Sequence, residues 1–235
     1  MRTFFISYKR LFSFIIAAVI CFFYWLQDYP NGPNIINYVD FLFNLIIIAT
    51  IFFLFTRKIQ LETASRFIMY ALFQLYCFLL YELTAYFSFD FIITAYKRHQ
   101  MTRPFHFPFE VINIIPFHTI LSDLFISAEV TIIQIIGNLL LLMPLGFFIL
   151  YFKMASQRKM IFLAFCVSMI IELTQLLQAF IASKYAWGLG RACDIDDVIL
   201  NTLSAFLAIG VYKLYSILCL KIKKWMRLAK NGSLR

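Results

Sequence analysis

The chain has 235 residues, of which 63% are hydrophobic and only 14% are charged. A typical soluble domain carries about 25% charged residues, so this composition excludes an ordinary soluble protein. The formal net charge of +9 comes mostly from lysines and arginines in short loops and tails. No RNA- or DNA-binding motif accompanies that charge, and we therefore expect no nucleic-acid partner.

Six apolar segments are long enough to cross a bilayer whose hydrocarbon core is about 30 Å thick. The sequence therefore predicts an all-α, polytopic transmembrane helix bundle. Lysines and arginines concentrate in alternate connections and at both ends, so the positive-inside rule places both termini in the cytoplasm. The six predicted spans cover residues 11–26, 35–55, 67–87, 131–152, 160–182 and 198–220.

The spans group into three parts along the chain. Residues 1–62 form an N-terminal transmembrane hairpin of two spans, residues 63–220 form a four-helix transmembrane core, and residues 221–235 form a basic cytoplasmic tail. A long outer loop, residues 88–130, interrupts the core. Its phenylalanines alternate around two prolines, which predicts an extended or re-entrant segment at the membrane interface; they are Phe105, Phe107 and Phe109.

Polar side chains lie at one depth in three different spans. A helix rises about 1.5 Å per residue, which places Asn138, Glu172 and Asn201 each roughly 10 Å below the outer surface. Such residues are costly in hydrocarbon and normally face the bundle interior or a wet cavity. We therefore expect spans four, five and six to pack with these three side chains turned inward.

Two short patterns extend this polar cluster. Glu172, Gln175 and Gln178 follow one another at steps of three along span five, and Asp194, Asp197 and Asn201 share one face at the start of span six. Two interpretations of the acids remain open. Asp194 or Asp196 caps the helix, with Asp197 in a polar contact, or Asp194, Asp196 and Asp197 hold a divalent cation.

Span four contains Pro144, which should kink it and free a carbonyl near Leu140 for another partner. Small residues in spans four and six predict close helix packing; they are Gly137, Gly146, Ser204 and Ala208.

Five motifs follow one another along the chain: Asn113-Ile114-Ile115-Pro116-Phe117, residues 137–146, Glu172-Leu173-Thr174-Gln175, Arg191 and residues 194–202. This ordered set resembles the VanZ-like family. The resemblance covers spans three to six. The family's founding member is associated with resistance to the glycopeptide teicoplanin, which implies a bacterial plasma-membrane protein of the cell envelope. The polar positions that the resemblance marks are Asn138, Glu172, Gln175, Arg191, Asp194, Asp197 and Asn201.

Three classes of function fit these residues. The first is a binding protein for an outer-leaflet lipid, a lipid-linked wall precursor or a lipoglycopeptide antibiotic. The second is an intramembrane enzyme with Glu172 as acid or base, although no span contains a histidine. The third is a proton-coupled transporter or flippase, which the lack of an internal repeat disfavours. We rank them in that order and expect no cofactor.

Overall fold

The computed structural model describes residues 2–30, 32–99, 107, 109–183 and 193–232. This part of the chain is almost entirely helical, as its composition predicts. Its helices are α1 (Arg2–Leu26), α2 (Ile35–Thr56), α3 (Ala64–Ala85), α4 (Phe89–His99), α5 (His118–Ile126), α6 (Ala128–Leu141), α7 (Met143–Tyr151), α8 (Gln157–Ser183) and α9 (Ile195–Gly232).

Six helical stretches within the described ranges are long and apolar enough to cross a membrane. This confirms the predicted all-α bundle with six spans, while the orientation of its termini stays a prediction. The structural spans start or end up to about eight residues from the predicted ones, and the third continues past the end of α3 at Ala85 into α4. They cover Tyr8–Leu26, Ile35–Thr56, Ala64–Thr94, Ala128–Tyr151, Gln157–Ser183 and Ile195–Leu228.

The connection between spans three and four contains two helices that the sequence did not predict, α4 and α5. The segment that we expected to be extended or re-entrant lies between them; Phe107 is in irregular backbone, and Phe109 opens a short 3-10 helix. Helices α4 and α5 are each capped by a carboxylate from a distant part of the chain. At the start of α4, Asp40 of span two accepts hydrogen bonds from the Ser88 hydroxyl (2.8 Å) and from the Phe89 and Asp90 amides (2.9 and 3.1 Å). Phe105 lies outside the described residues.

A two-stranded parallel pairing joins the end of this connection to the start of α9. Strand β1 (Ile112–Asn113) pairs with β2 (Cys193–Asp194), with Asn113 opposite Asp194. The pairing is too short to alter the all-α class, but it holds two distant segments side by side at one end of the bundle.

Helix α9 is the centre of the core, because α6, α7 and α8 all pack against it. Helices α7 and α9 approach each other closely at Gly146 of α7. A Cβ added there would lie 2.7 Å from the Ala208 Cβ and 2.9 Å from the Met160 Sδ. Two of the predicted small residues, Gly146 and Ala208, therefore do mark a packing face.

The break in span four lies where Pro144 predicts it. Helix α6 ends at Leu141, and α7 begins at Met143 with Pro144 in its first turn. The Tyr76 hydroxyl of α3 donates a 2.7 Å hydrogen bond to the Leu141 carbonyl. The freed carbonyl is thus one residue further along than expected, and α3 satisfies it.

Two cations of the first span donate hydrogen bonds to backbone carbonyls at and just after the end of the second span. The Arg10 guanidinium donates to the carbonyls of Arg57 (3.0 Å) and Ile59 (2.6 Å), and Lys9 Nζ donates to the Leu61 carbonyl at 3.1 Å. Cations at a helix C-terminus satisfy carbonyls that have no partner within the helix.

Candidate functional site

A cavity of about 620 Å³ opens between α3, α5, α6, α8 and the start of α9. We call it the acidic cavity. Six of the seven residues that the sequence marked as a site line its wall: Asn138, Glu172, Gln175, Asp194, Asp197 and Asn201. The seventh, Arg191, lies outside the described residues.

Helix α8 places Glu172 and Gln175 in this wall, one turn apart and both buried. Glu172 Oε2 accepts a 2.9 Å hydrogen bond from the Asp194 backbone N–H, so the carboxylate is tied to the start of α9. Gln178, the third member of the predicted stripe, instead donates to the Tyr86 carbonyl at 2.9 Å. The stripe therefore divides into two cavity residues and one that binds α8 to the end of α3.

Asp194 precedes α9 and caps it. Its Oδ1 accepts from the Asp196 backbone N–H at 2.8 Å, the contact expected of an N-cap residue. The same oxygen accepts from Asn113 Nδ2 at 2.8 Å, beside the paired strands. The predicted capping role is thus present at Asp194.

Asp196 lies in α9 but caps a different helix. Its carboxylate accepts from the backbone N–H groups of Phe117 and Ile120, the latter at 3.2 Å, and so caps α5. Phe117 has φ 64°, a left-handed conformation that is unfavourable for a side chain of its size. The carboxylate holds that turn in place. The interpretation of Asp196 as an N-cap of span six is therefore wrong, and its partner lies 79 positions earlier in the chain.

Asp197 makes the polar contact that was predicted for it. Asn138 Nδ2 of α6 donates a hydrogen bond to Asp197 Oδ1 of α9. This bond joins α6 to the first turn of α9, four residues before Asn201 in the sequence, and both side chains lie in the cavity wall.

Of the α9 residues that line the acidic cavity, Asn201 lies furthest from the start of the helix. It is only 1% exposed, and its Oδ1 has no hydrogen-bond partner among the residues that the structure describes. An unsatisfied buried acceptor costs about 1–3 kcal/mol. Because Asn201 lines the cavity, a donor group occupying that space would remove this cost.

The cavity is rich in acceptors and negative charge. Asp123 joins Glu172, Asp194 and Asp197 in its wall. At its edge, burial raises the pKa of the Cys193 thiol, and the carboxylates of Glu172 and Asp194 raise it further. Ligands that donate hydrogen bonds or carry positive charge suit such a wall.

The three aspartates line one small cavity, but each accepts a hydrogen bond from a different partner. Asp194 caps α9, Asp196 caps α5 and Asp197 binds Asn138. Within the described ranges, no group of three or more His, Cys, Asp or Glu side chains has an arrangement that could hold a metal ion. The cation interpretation of these aspartates therefore lacks the geometry it requires.

Sequence reasoning missed four polar residues of the wall: Thr84, Thr119, Asp123 and Gln134. Gln134 precedes Asn138 by four residues, so helical spacing could have found it. Thr119 and Asp123 belong to α5, a helix that the sequence did not predict.

The VanZ/LLP1 family model matches residues 73–218, which is more than half of the chain. The chain belongs to the VanZ/LLP1 family. The matched region runs from α3 into α9 and contains every residue of the acidic cavity, so the cavity is a feature of the VanZ/LLP1 part of the molecule. Comparisons with curated proteins and with solved structures gave no significant match.

Proposed function

We propose that this VanZ/LLP1 protein binds the polar headgroup of an outer-leaflet lipid or lipid-linked wall precursor in the acidic cavity. In this proposal it acts in the bacterial plasma membrane and contributes to envelope resistance of the teicoplanin type. The carbohydrate and amine groups of a lipoglycopeptide offer the same donors, so such an antibiotic is a further ligand of the same chemical kind.

The observation that carries the proposal is the buried Asn201 Oδ1, an acceptor without a partner in the described part of the chain. Glu172 and Asp197 add carboxylate acceptors to the same wall. A headgroup with hydroxyl, amide or ammonium donors can donate to Asn201 Oδ1 and lie against these carboxylates. The volume of about 620 Å³ falls within the range of small-ligand sites.

The test compares Glu172→Gln with Glu129→Gln. Glu129 is exposed in the first turn of α6 and does not line the cavity, so its substitution is the same chemical change off the site. Glutamine retains an acceptor for the Asp194 N–H, and we expect Glu172→Gln to reach normal abundance. It should lose teicoplanin tolerance and the lipid retained by purified protein, whereas Glu129→Gln should keep both.

A Glu172→Gln protein that is present at normal level and fully active would refute the proposal. Turnover of the retained lipid by wild-type protein would point instead to the enzyme hypothesis, with Glu172 as acid or base. Mass spectrometry of the lipid before and after incubation separates that outcome from binding alone.

A further inference from the structure

A second cavity, of about 390 Å³, lies at the opposite end of the bundle. It is formed where the α2–α3 connection meets the turn between α7 and α8. Three cations line it, Lys58, Arg66 and Lys153, against one carboxylate, Glu62. We call it the basic cavity. Helices α3 and α8 both begin beside it and run from there to the acidic cavity.

The Arg66 side chain is held in place at this site. Its Nε donates to the Gln60 carbonyl at 2.9 Å, and its guanidinium carbon lies 5.7 Å from the centre of the buried Phe152 ring. Of its five N–H donors, the Nη groups bind no described residue. A fixed guanidinium with available Nη groups is suited to a phosphate or carboxylate.

Lys153 occupies a position that glycine fits better. The Lys153 N–H donates to the Leu150 carbonyl at 3.1 Å and the Met154 N–H to the Ile149 carbonyl at 2.9 Å. These two bonds define a Schellman motif at the end of α7, with Lys153 at the left-handed residue, φ 55°. Lysine is strained there because of its Cβ, and strain of this kind clusters at functional sites.

The neighbouring cations are already engaged by the protein. Arg10 donates to the carbonyls at the end of α2, and Lys9 donates to the Leu61 carbonyl. These bonds go to the carbonyls of Arg57, Ile59 and Leu61, and neither Arg10 nor Lys9 lines the basic cavity. Within the described residues, the cations that line it are Lys58, Arg66 and Lys153.

We propose that the basic cavity binds a phosphate group, with Arg66 and Lys153 as its principal partners and Lys58 at its rim. The group belongs either to an anionic phospholipid of the adjacent leaflet or to a free phosphate compound. Basic pockets between membrane helices are suited to such headgroups. This inference is independent of the acidic cavity, which lies at the other end of the bundle.

The experiment uses the full chain, purified with a mixture of phosphatidylglycerol and phosphatidylcholine, and native mass spectrometry to measure the lipid retained. Lys153→Gln removes the charge and keeps the strained backbone, whereas Lys153→Gly removes both. Arg66→Gln removes the fixed guanidinium. Lys223→Gln is the matched control, because Lys223 is exposed on α9 beyond the core.

We expect each variant of Lys153 and Arg66 to retain roughly tenfold less phosphatidylglycerol, since each loses a charge-assisted hydrogen bond. The control should match the wild type. Lys153→Gly should also melt higher than Lys153→Gln, so a loss of lipid in it is not a loss of fold. The proposal would be overturned if the wild type and all four variants retained equal amounts of phosphatidylglycerol and if no binding of inorganic phosphate depended on Lys153.

Inorganic phosphate distinguishes the two sources. Phosphate that binds the wild type and displaces phosphatidylglycerol, but fails to bind Lys153→Gln, supports the site with a free phosphate compound as ligand. Phosphatidylglycerol that is retained against phosphate, and is lost in Lys153→Gln, supports the site with the phospholipid as ligand.

Discussion

The Cys193 thiol reports on the charge of the acidic cavity. Burial and the carboxylates of Glu172 and Asp194 raise its pKa, because neighbouring negative charge disfavours the thiolate. The thiolate is the form that reacts with maleimides. Glu172→Gln should therefore lower the pKa and shift the pH dependence of alkylation to lower pH, measured in protein whose other four cysteines are alanine.

The control for that shift is Glu129→Gln in the same background, which should leave the alkylation curve in place because Glu129 lies outside the cavity. An identical curve for Glu172→Gln would mean that the carboxylate is neutral or lies too far from the sulfur to influence it.

Two buried asparagines should respond in opposite ways to the same substitution. Asn201→Leu deletes an acceptor without a described partner, so we expect the free energy of unfolding to rise by about 1 kcal/mol. Asn44→Leu deletes an amide that donates to the Asp40 and Phe87 carbonyls and accepts from Tyr81 and Phe87.

Asn44→Leu should lower the free energy of unfolding by several kcal/mol, because it leaves those partners unsatisfied, at about 1–3 kcal/mol each. Thermal unfolding of the two variants in one detergent measures both signs. A large loss of stability in Asn201→Leu would show that its amide is structural and would remove it from the binding site.

At the level of whole helices, the contact between α7 and α9 depends on Gly146. Gly146→Ala places a methyl group 2.7 Å from the Ala208 Cβ, and the helices must separate. Overpacking of this kind costs about 1–3 kcal/mol. The matched control is Gly210→Ala, since a Cβ there meets nothing within 4 Å; it should be neutral or slightly stabilising.

Ala208→Gly should recover part of the stability lost in Gly146→Ala, because it removes the nearer of the two atoms that the new methyl group meets; the other, Met160 Sδ at 2.9 Å, lies on a flexible side chain. A double-mutant cycle measured by thermal unfolding gives the coupling energy directly. Additive effects in that cycle would show that the contact between Gly146 and Ala208 does not limit how closely α7 packs against α9.

The sequence predicts where some cavity residues lie, but it does not predict the hydrogen-bond partners of others. Depth in the membrane follows from position along a helix, so Asn138, Glu172 and Asn201 could be placed together before the fold was known. Asp196 could not be assigned, because its partner amides precede it by 79 and 76 positions. Nothing within α5 itself signals the carboxylate that caps it.

At the scale of the whole molecule, an even number of spans predicts that both ends of the chain lie on one side of the membrane. The basic cavity and the basic connections lie at one end, and the positive-inside rule assigns that end to the cytoplasm. Ser122→Cys in α5 should therefore react with an impermeant maleimide in intact cells. Ser156→Cys, between α7 and α8, should react only after permeabilisation; both positions are exposed.

The native cysteines are replaced by alanine in both proteins, so that each reports a single position. The reverse pattern of labelling would show that the bundle has the opposite orientation in the membrane. The acidic cavity would then lie in the cytoplasmic leaflet, where a wall precursor exposed on the outer surface could not reach it.

The parallel pair between β1 and β2 has a consequence for biosynthesis. Asn113 leaves the ribosome 81 residues before Asp194, its hydrogen-bond partner. At about 5–20 residues per second, the earlier strand waits roughly 4–16 seconds for the later one to be translated. The outer wall of the acidic cavity is thus completed only when α9 emerges. A nascent chain arrested just before that point has five candidate spans synthesised but cannot yet complete the wall of the acidic cavity.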